Sequence, residues 1–100
     1  MATRPPTAAT IDIFHDVFSA LVEPDAPLEH LADGFGWAEG PVYVPDTDTL
    51  FWSDVSGDRR LRLDVASGAV TDAAGPANFC NGHTLDRQGR VIACEHGTRT

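Results

Sequence analysis

Lysine is absent from this 100-residue chain, and seven arginines supply every fixed positive charge against fifteen Asp and Glu. The resulting formal charge of −8 and a pI near 4.6 exclude the basic face that nucleic acid or an anionic membrane requires. Only two cysteines occur, Cys80 and Cys94, too few for a disulfide framework. No apolar run approaches the roughly 20 residues that span a bilayer. Met1 to Thr10 is polar and proline-bearing, without the apolar core of a secretory signal, so the expectation is a cytoplasmic protein. No GxSxG, P-loop, CxxC or HExxH occurs, which removes the usual serine-hydrolase, nucleotide, redox and zincin readings. With 42% hydrophobic and 22% charged residues the chain has the composition of one small folded domain.

Residues 1–10 read as a flexible arm, and residues 11–33 as a lead-in helix and loop. From Ile11 to Val22 the apolar positions Phe14, Val17, Phe18 and Leu21 follow helical spacing, with Thr10 or Asp12 as cap and Pro24 as stop. A strand is expected over His30 to Phe35. Beyond residue 34 the punctuation becomes regular. Short strands are expected at Pro41–Pro45, Leu50–Asp54, Arg59–Asp64 and Ala69–Asp72, separated by turns rich in Asp, Ser and Gly. They form an antiparallel meander.

After a linker from Ala73 to Cys80 the pattern restarts with Asn81–Leu85 and Arg90–Cys94. Glu39-Gly40 aligns with Asn81-Gly82, Leu50 with Val91 and Asp54 with Glu95, an offset of about 41 to 42 residues. Four strands at that period is the pattern of a β-propeller blade. The expected fold is all-β, with a first blade over about 39–73 and a second, incomplete one from 81. Since propellers close with about four to eight blades, the chain reads as the N-terminal part of something longer.

In such a meander alternate connections share one edge, so Glu39, Asp54 to Gly57, Asn81-Gly82 and Glu95 to Gly97 fall on one rim. If the first strand of each blade is innermost, Glu39 and Asn81 line the central opening. A ring of strand starts carrying Glu, Asp and Asn can offer oxygens to a hard cation, though Glu39 equally suits a solvated strand end. Asn81-Gly82 is also turn chemistry, and His96 is either a loop-holding residue or a proton handler. His83 reads as a packed or hydrogen-bonded histidine. Trp37, Tyr43, Phe51 and Trp52 read as inter-blade packing. Pairing Leu85 with Arg90 would set Asn81 opposite Cys94 and turn Cys80 to the other face, against a disulfide.

The stretches WAEGPVYVPDTDTLFWSDVSGDRRLRLD and NGHTLDRQGRVIACEHG resemble the gluconolactonase branch of the regucalcin (senescence marker protein 30)/gluconolactonase family over about residues 34–100. The resemblance implies a six-bladed propeller with one divalent metal on its axis, usually calcium, with zinc and magnesium as alternatives. Glu39 falls on the family's first metal ligand. Asn81 and His96 match residues typical of this branch and are candidate substrate contacts, while the remaining ligands and the general base belong to later blades. The implied chemistry is hydrolysis of a sugar lactone, in which the metal polarises the carbonyl and lowers the pKa of a water. Other readings are an esterase or organophosphate hydrolase on the same propeller, or a non-catalytic binding scaffold.

Overall fold

The computed structural model describes residues 11–100, so the arm expected over residues 1–10, and the Thr10 cap with it, lie outside the described part. The chain divides between Asp33 and Gly34 into two compact units.

In the first unit the expected twelve-residue amphipathic helix is a single 3-10 helix, Asp16–Ala20. Its cap is His15, whose Nδ1 accepts from the Val17 amide at 3.2 Å, rather than Asp12. Phe14, Val17, Phe18 and Leu21 have the right spacing but remain exposed. A helix this short draws its stability from burying such a stripe, and the β-branched and aromatic residues here favour helix weakly. The strand expected over His30 to Phe35 is irregular chain instead. Gly34 takes a left-handed φ of +92° there, which breaks an extended run.

The second unit carries the strands. β1 (Ala38–Val44), β2 (Thr49–Asp54), β3 (Arg59–Asp64) and β4 (Val70–Ala74) form an antiparallel meander in chain order. β5 (Cys80–Leu85) and β6 (Val91–Glu95) form a second, two-stranded sheet. Turn chemistry explains the spacing. Asp48 and Asp58 hold left-handed φ of 51° and 50°, conformations that Asp tolerates better than most residues.

Alternation sets the two faces of the first blade. Leu61 and Leu63 are each 2% exposed and share a face with Trp52, which lies opposite Leu61. Phe35 meets the Trp52 ring edge-on at 5.4 Å, and the Arg59 guanidinium sits 5.7 Å from the Phe35 ring centre. Of the four aromatics expected between blades, Trp52 is buried. Trp37 and Tyr43 are instead exposed, and the Tyr43 hydroxyl donates to Asp48 Oδ1 at 2.8 Å.

The second sheet repeats the first in register. Glu39 lies opposite Ser53 and Val42 opposite Phe51, with a bulge between them; Cys80 lies opposite Glu95 and His83 opposite Ala93, again across a bulge. Thus the repeat seen in the sequence is a structural equivalence, a β-propeller blade followed by the opening strands of the next. The turn moves the expected β5–β6 register by one at the hairpin end: Leu85 pairs with Val91, not Arg90, because the Asp86 amide bonds the Arg90 carbonyl and takes both residues into the loop, and the bulge between Cys80 and His83 then shifts the pairing back by one. Both cysteines are free thiols, Cys80 buried and Cys94 exposed.

Candidate functional site

One edge of both sheets collects the residues singled out by the sequence. The register puts the start of β1 beside the end of β2, and the start of β5 beside the end of β6. Glu39 is half-buried at this edge, and no hydrogen bond or ion pair involves its carboxylate among the described residues. Asn81 is half-buried in the matching bulge of the next blade, one residue past Cys80, which the register makes the counterpart of Glu39. Its Oδ1 accepts from the Gly82 amide at 2.7 Å, leaving the side-chain NH2 free to donate. His96 is exposed on the loop after β6, its backbone amide bonded to the Phe79 carbonyl at 3.1 Å.

What joins the two blades is backbone contact at the bulges. Gly40 has a φ of +66°, and a Cβ built there would collide with the Asn81 carbonyl oxygen. Glycine is required twice over at this position, by the left-handed backbone and by the neighbouring chain. Ser53, fully buried opposite Glu39, donates its hydroxyl to the Asn81 carbonyl at 2.8 Å and lies 3.2 Å from the Cys80 sulfur. From the second blade His83 reaches back, its Nδ1 2.7 Å from the Gly40 carbonyl. A carbonyl only accepts, so Nδ1 carries the proton, and the buried Nε2, without a hydrogen-bond partner among the described residues, is the bare nitrogen of the neutral ring. Burial pushes the His83 pKa down and the nearby Arg60 charge adds to this, against the opposing bond to Gly40. His83 is therefore the hydrogen-bonded histidine its sequence context indicated.

Asp54 stands on the same rim with a different task. It is 3% exposed and fully engaged, accepting from the Trp37 amide at 3.0 Å, Ser56 Oγ at 3.2 Å, the Gly57 amide at 3.3 Å and Arg59 Nε at 3.2 Å. Burial by itself would raise its pKa. The backbone amides of Trp37, Gly36 and Gly57 and the Arg59 guanidinium outweigh that and hold the carboxyl below its ordinary value. Oδ1 takes three of these donors and Oδ2 the Arg59 guanidinium, so this carboxylate ties Trp37 to the β2–β3 turn.

The loop that presents His96 rests on a strained support that sequence reasoning passed over. Asn78 and Phe79 are consecutive non-glycine residues at φ of 52° and 51°. Asp58 Oδ1 holds them, accepting from the Ala77 amide at 3.1 Å and the Phe79 amide at 2.7 Å. Asn78 in turn donates to Glu95 Oε2 at 3.0 Å and accepts the Gly97 amide on its carbonyl at 2.9 Å. The signal available in the sequence was Asn-Phe ahead of a strand, too common a pair to mark.

The arrangement can present one free carboxylate oxygen pair, one amide and one imidazole at a common edge. Among the described residues no three His, Cys, Asp or Glu side chains converge as a metal site. The free Glu39 carboxylate, a hard oxygen donor without another obligation, fits a single ligand position for such an ion. No described helix is long and apolar enough to cross a membrane.

Residues 37–100 match the model of the SMP-30/gluconolactonase/LRE-like region. The chain belongs to the SMP-30/gluconolactonase/LRE-like family. Solved structures agree. A gluconolactonase from Xanthomonas campestris, described as important in glucose secondary metabolic pathways, matches the whole chain at 35% identity and a TM-score of 0.77. A structural-genomics target, described as a putative gluconolactonase, matches 66% of the chain at 44% identity and a TM-score of 0.62. The chain spans 34% of the first and 22% of the second. No curated protein matches it.

Proposed function

We propose that this chain forms the first blade and a half of a six-bladed, divalent-metal-dependent hydrolase of sugar lactones. Glu39 supplies one ligand of the metal, and later blades supply the remaining ligands and the general base. Membership of a family whose solved relatives are described as gluconolactonases supports the lactone substrate. The observation that carries the assignment of Glu39 is its half-buried carboxylate, uncommitted among the described residues and seated at a bulge that the next blade repeats.

Calcium is the ion that a carboxylate and amide-oxygen ligand set favours, with zinc and magnesium as alternatives. Once bound, it supplies Lewis acidity toward a lactone carbonyl oxygen. The chain's own residues act around that centre. Glu39 brings negative charge to the axis and handles no proton. Asn81 can donate from its free amide to a sugar hydroxyl or ring oxygen, and the exposed His96 imidazole can hydrogen-bond the sugar from the adjoining loop. Such contacts at fixed backbone positions orient a lactone ring more than they alter its chemistry.

Isothermal titration of the full-length protein with calcium tests this reading. Glu39→Gln keeps the shape but loses the charge, and is expected to weaken binding and lower lactonase turnover together. Unchanged affinity and unchanged turnover at limiting metal would remove Glu39 from the site.

A further inference from the structure

His83 lies outside the set that the proposed reaction uses, yet it makes the most direct side-chain link between the second blade and the bulge bearing Glu39. We propose that His83 is a positioning residue: its Nδ1–H, donated to the Gly40 carbonyl, fixes the Gly40–Pro41 peptide and so the course of the chain by which Glu39 presents its carboxylate to the metal position. The inference rests on the reading of Glu39 as a metal ligand.

The geometry is specific to one ring nitrogen. Nδ1 and the Gly40 oxygen are 2.7 Å apart, between residues 43 positions apart in the chain. Gly40 directly follows Glu39, and β1 leaves its regular pairing with β2 between Glu39 and Val42. Glu39 is paired opposite Ser53, but Gly40 and Pro41 fall in the interval where the ladder offers no partner, so the orientation of the Gly40–Pro41 peptide that follows Glu39 must come from elsewhere. Two contacts supply it. The Asn81 carbonyl fills the space where a Cβ of residue 40 would stand, and His83 holds the Gly40 carbonyl. The first is steric and sets how close the blades come. The second is directional, and it fixes which way the peptide faces. Among the described residues Nε2 has no hydrogen-bond partner, so the ring's other polar atom contributes nothing to the link. A neutral histidine donating through one nitrogen to a carbonyl beside a ligand parallels the outer-shell bonds that orient metal ligands generally.

The test compares side chains that place a donor at Nδ1 with those that do not. Asn Nδ2 falls where His Nδ1 stands, whereas the Gln amide extends to the position of Nε2. In the full-length protein, calcium titration is expected to show His83→Gln and His83→Leu binding about 10-fold or more weakly than the parent, the range for outer-shell substitutions. His83→Asn is expected to stay within about 3-fold of the parent. If His83→Leu does not fold, the Asn and Gln variants decide between themselves. Equal affinity of the Gln variant and the parent would overturn the proposal, as would an Asn variant as weak as Gln, which would make ring packing the operative factor. Glu39→Gln, measured alongside, separates the two levels. If it binds calcium normally, the metal assignment fails; if it loses calcium while His83→Gln keeps it, only the role of His83 fails.

Discussion

The hydroxyl of Ser53 donates to the carbonyl of Asn81 across 2.8 Å, and this bond crosses from the second strand of one blade to the first strand of the next. Ser53 is completely buried, so its hydroxyl has no water as an alternative partner, and Asn81 on the other side is half-buried. Ser53→Ala would strand the Asn81 carbonyl while leaving the first meander's backbone pairing intact. The expected loss is about 1–3 kcal/mol of unfolding free energy, the cost of an unmet buried acceptor. Urea unfolding measures it, and a loss below a few tenths would mean the junction closes by other contacts.

Gly40 meets the same carbonyl from the other side. Gly40→Ala must hold a φ of +66° and also push its methyl group against Asn81. The backbone conformation alone costs of order 1–2 kcal/mol for a residue with a Cβ, and relieving the collision requires the blades to part. The variant is expected to lose at least about 2 kcal/mol and to become more susceptible to proteolysis in the 73–80 linker. A fully stable Gly40→Ala protein would show that the bulge can be rebuilt.

Asp54 gives the chain an acid-sensitive joint. Its carboxyl is held below the ordinary carboxylate range in the folded state, so folding favours the ionised form. That stabilisation is complete above the unfolded-state pKa of about 4 and is lost as pH falls through the folded value. Asp54→Asn removes the charge facing Arg59 and is expected to cost roughly 3 kcal/mol at pH 7. It should also show a shallower decline in stability between pH 5 and 3 than the parent. Asp86, likewise held low by the Arg90 and neighbouring amides, keeps its own acid dependence in both proteins. Parallel stability curves for parent and variant would assign the acid limb elsewhere.

Much of this molecule was legible in residue order. The strands fell where turn residues and alternation put them, because Asp, Gly and Ser punctuate the chain at sites that need left-handed or tight backbone. The repeat was legible to within one residue: the motifs set Glu39 against Asn81, whereas the bulges at Glu39/Val42 and Cys80/His83 set Glu39 against Cys80 and Gly40 against Asn81. The amphipathic stripe of residues 14–21 misled, since a periodic pattern specifies a helix only when something covers its apolar side. The β5–β6 register moved by one residue at the hairpin end because Asp86 and Arg90 pair within the turn, and it moved back at a bulge between Cys80 and His83 that leaves no mark on the hydrophobic pattern.

Sequence alone determined the all-β class, the blade period and the family, since these rest on local turn chemistry and on motifs contiguous in the chain. Tertiary structure decided how the two blades meet. The pairings Ser53–Asn81 and His83–Gly40 join residues 28 and 43 positions apart. Hydrogen bonds of that kind depend on a side chain and a carbonyl arriving at one point after the strands have paired, and nothing in the linear order of residues encodes that arrival.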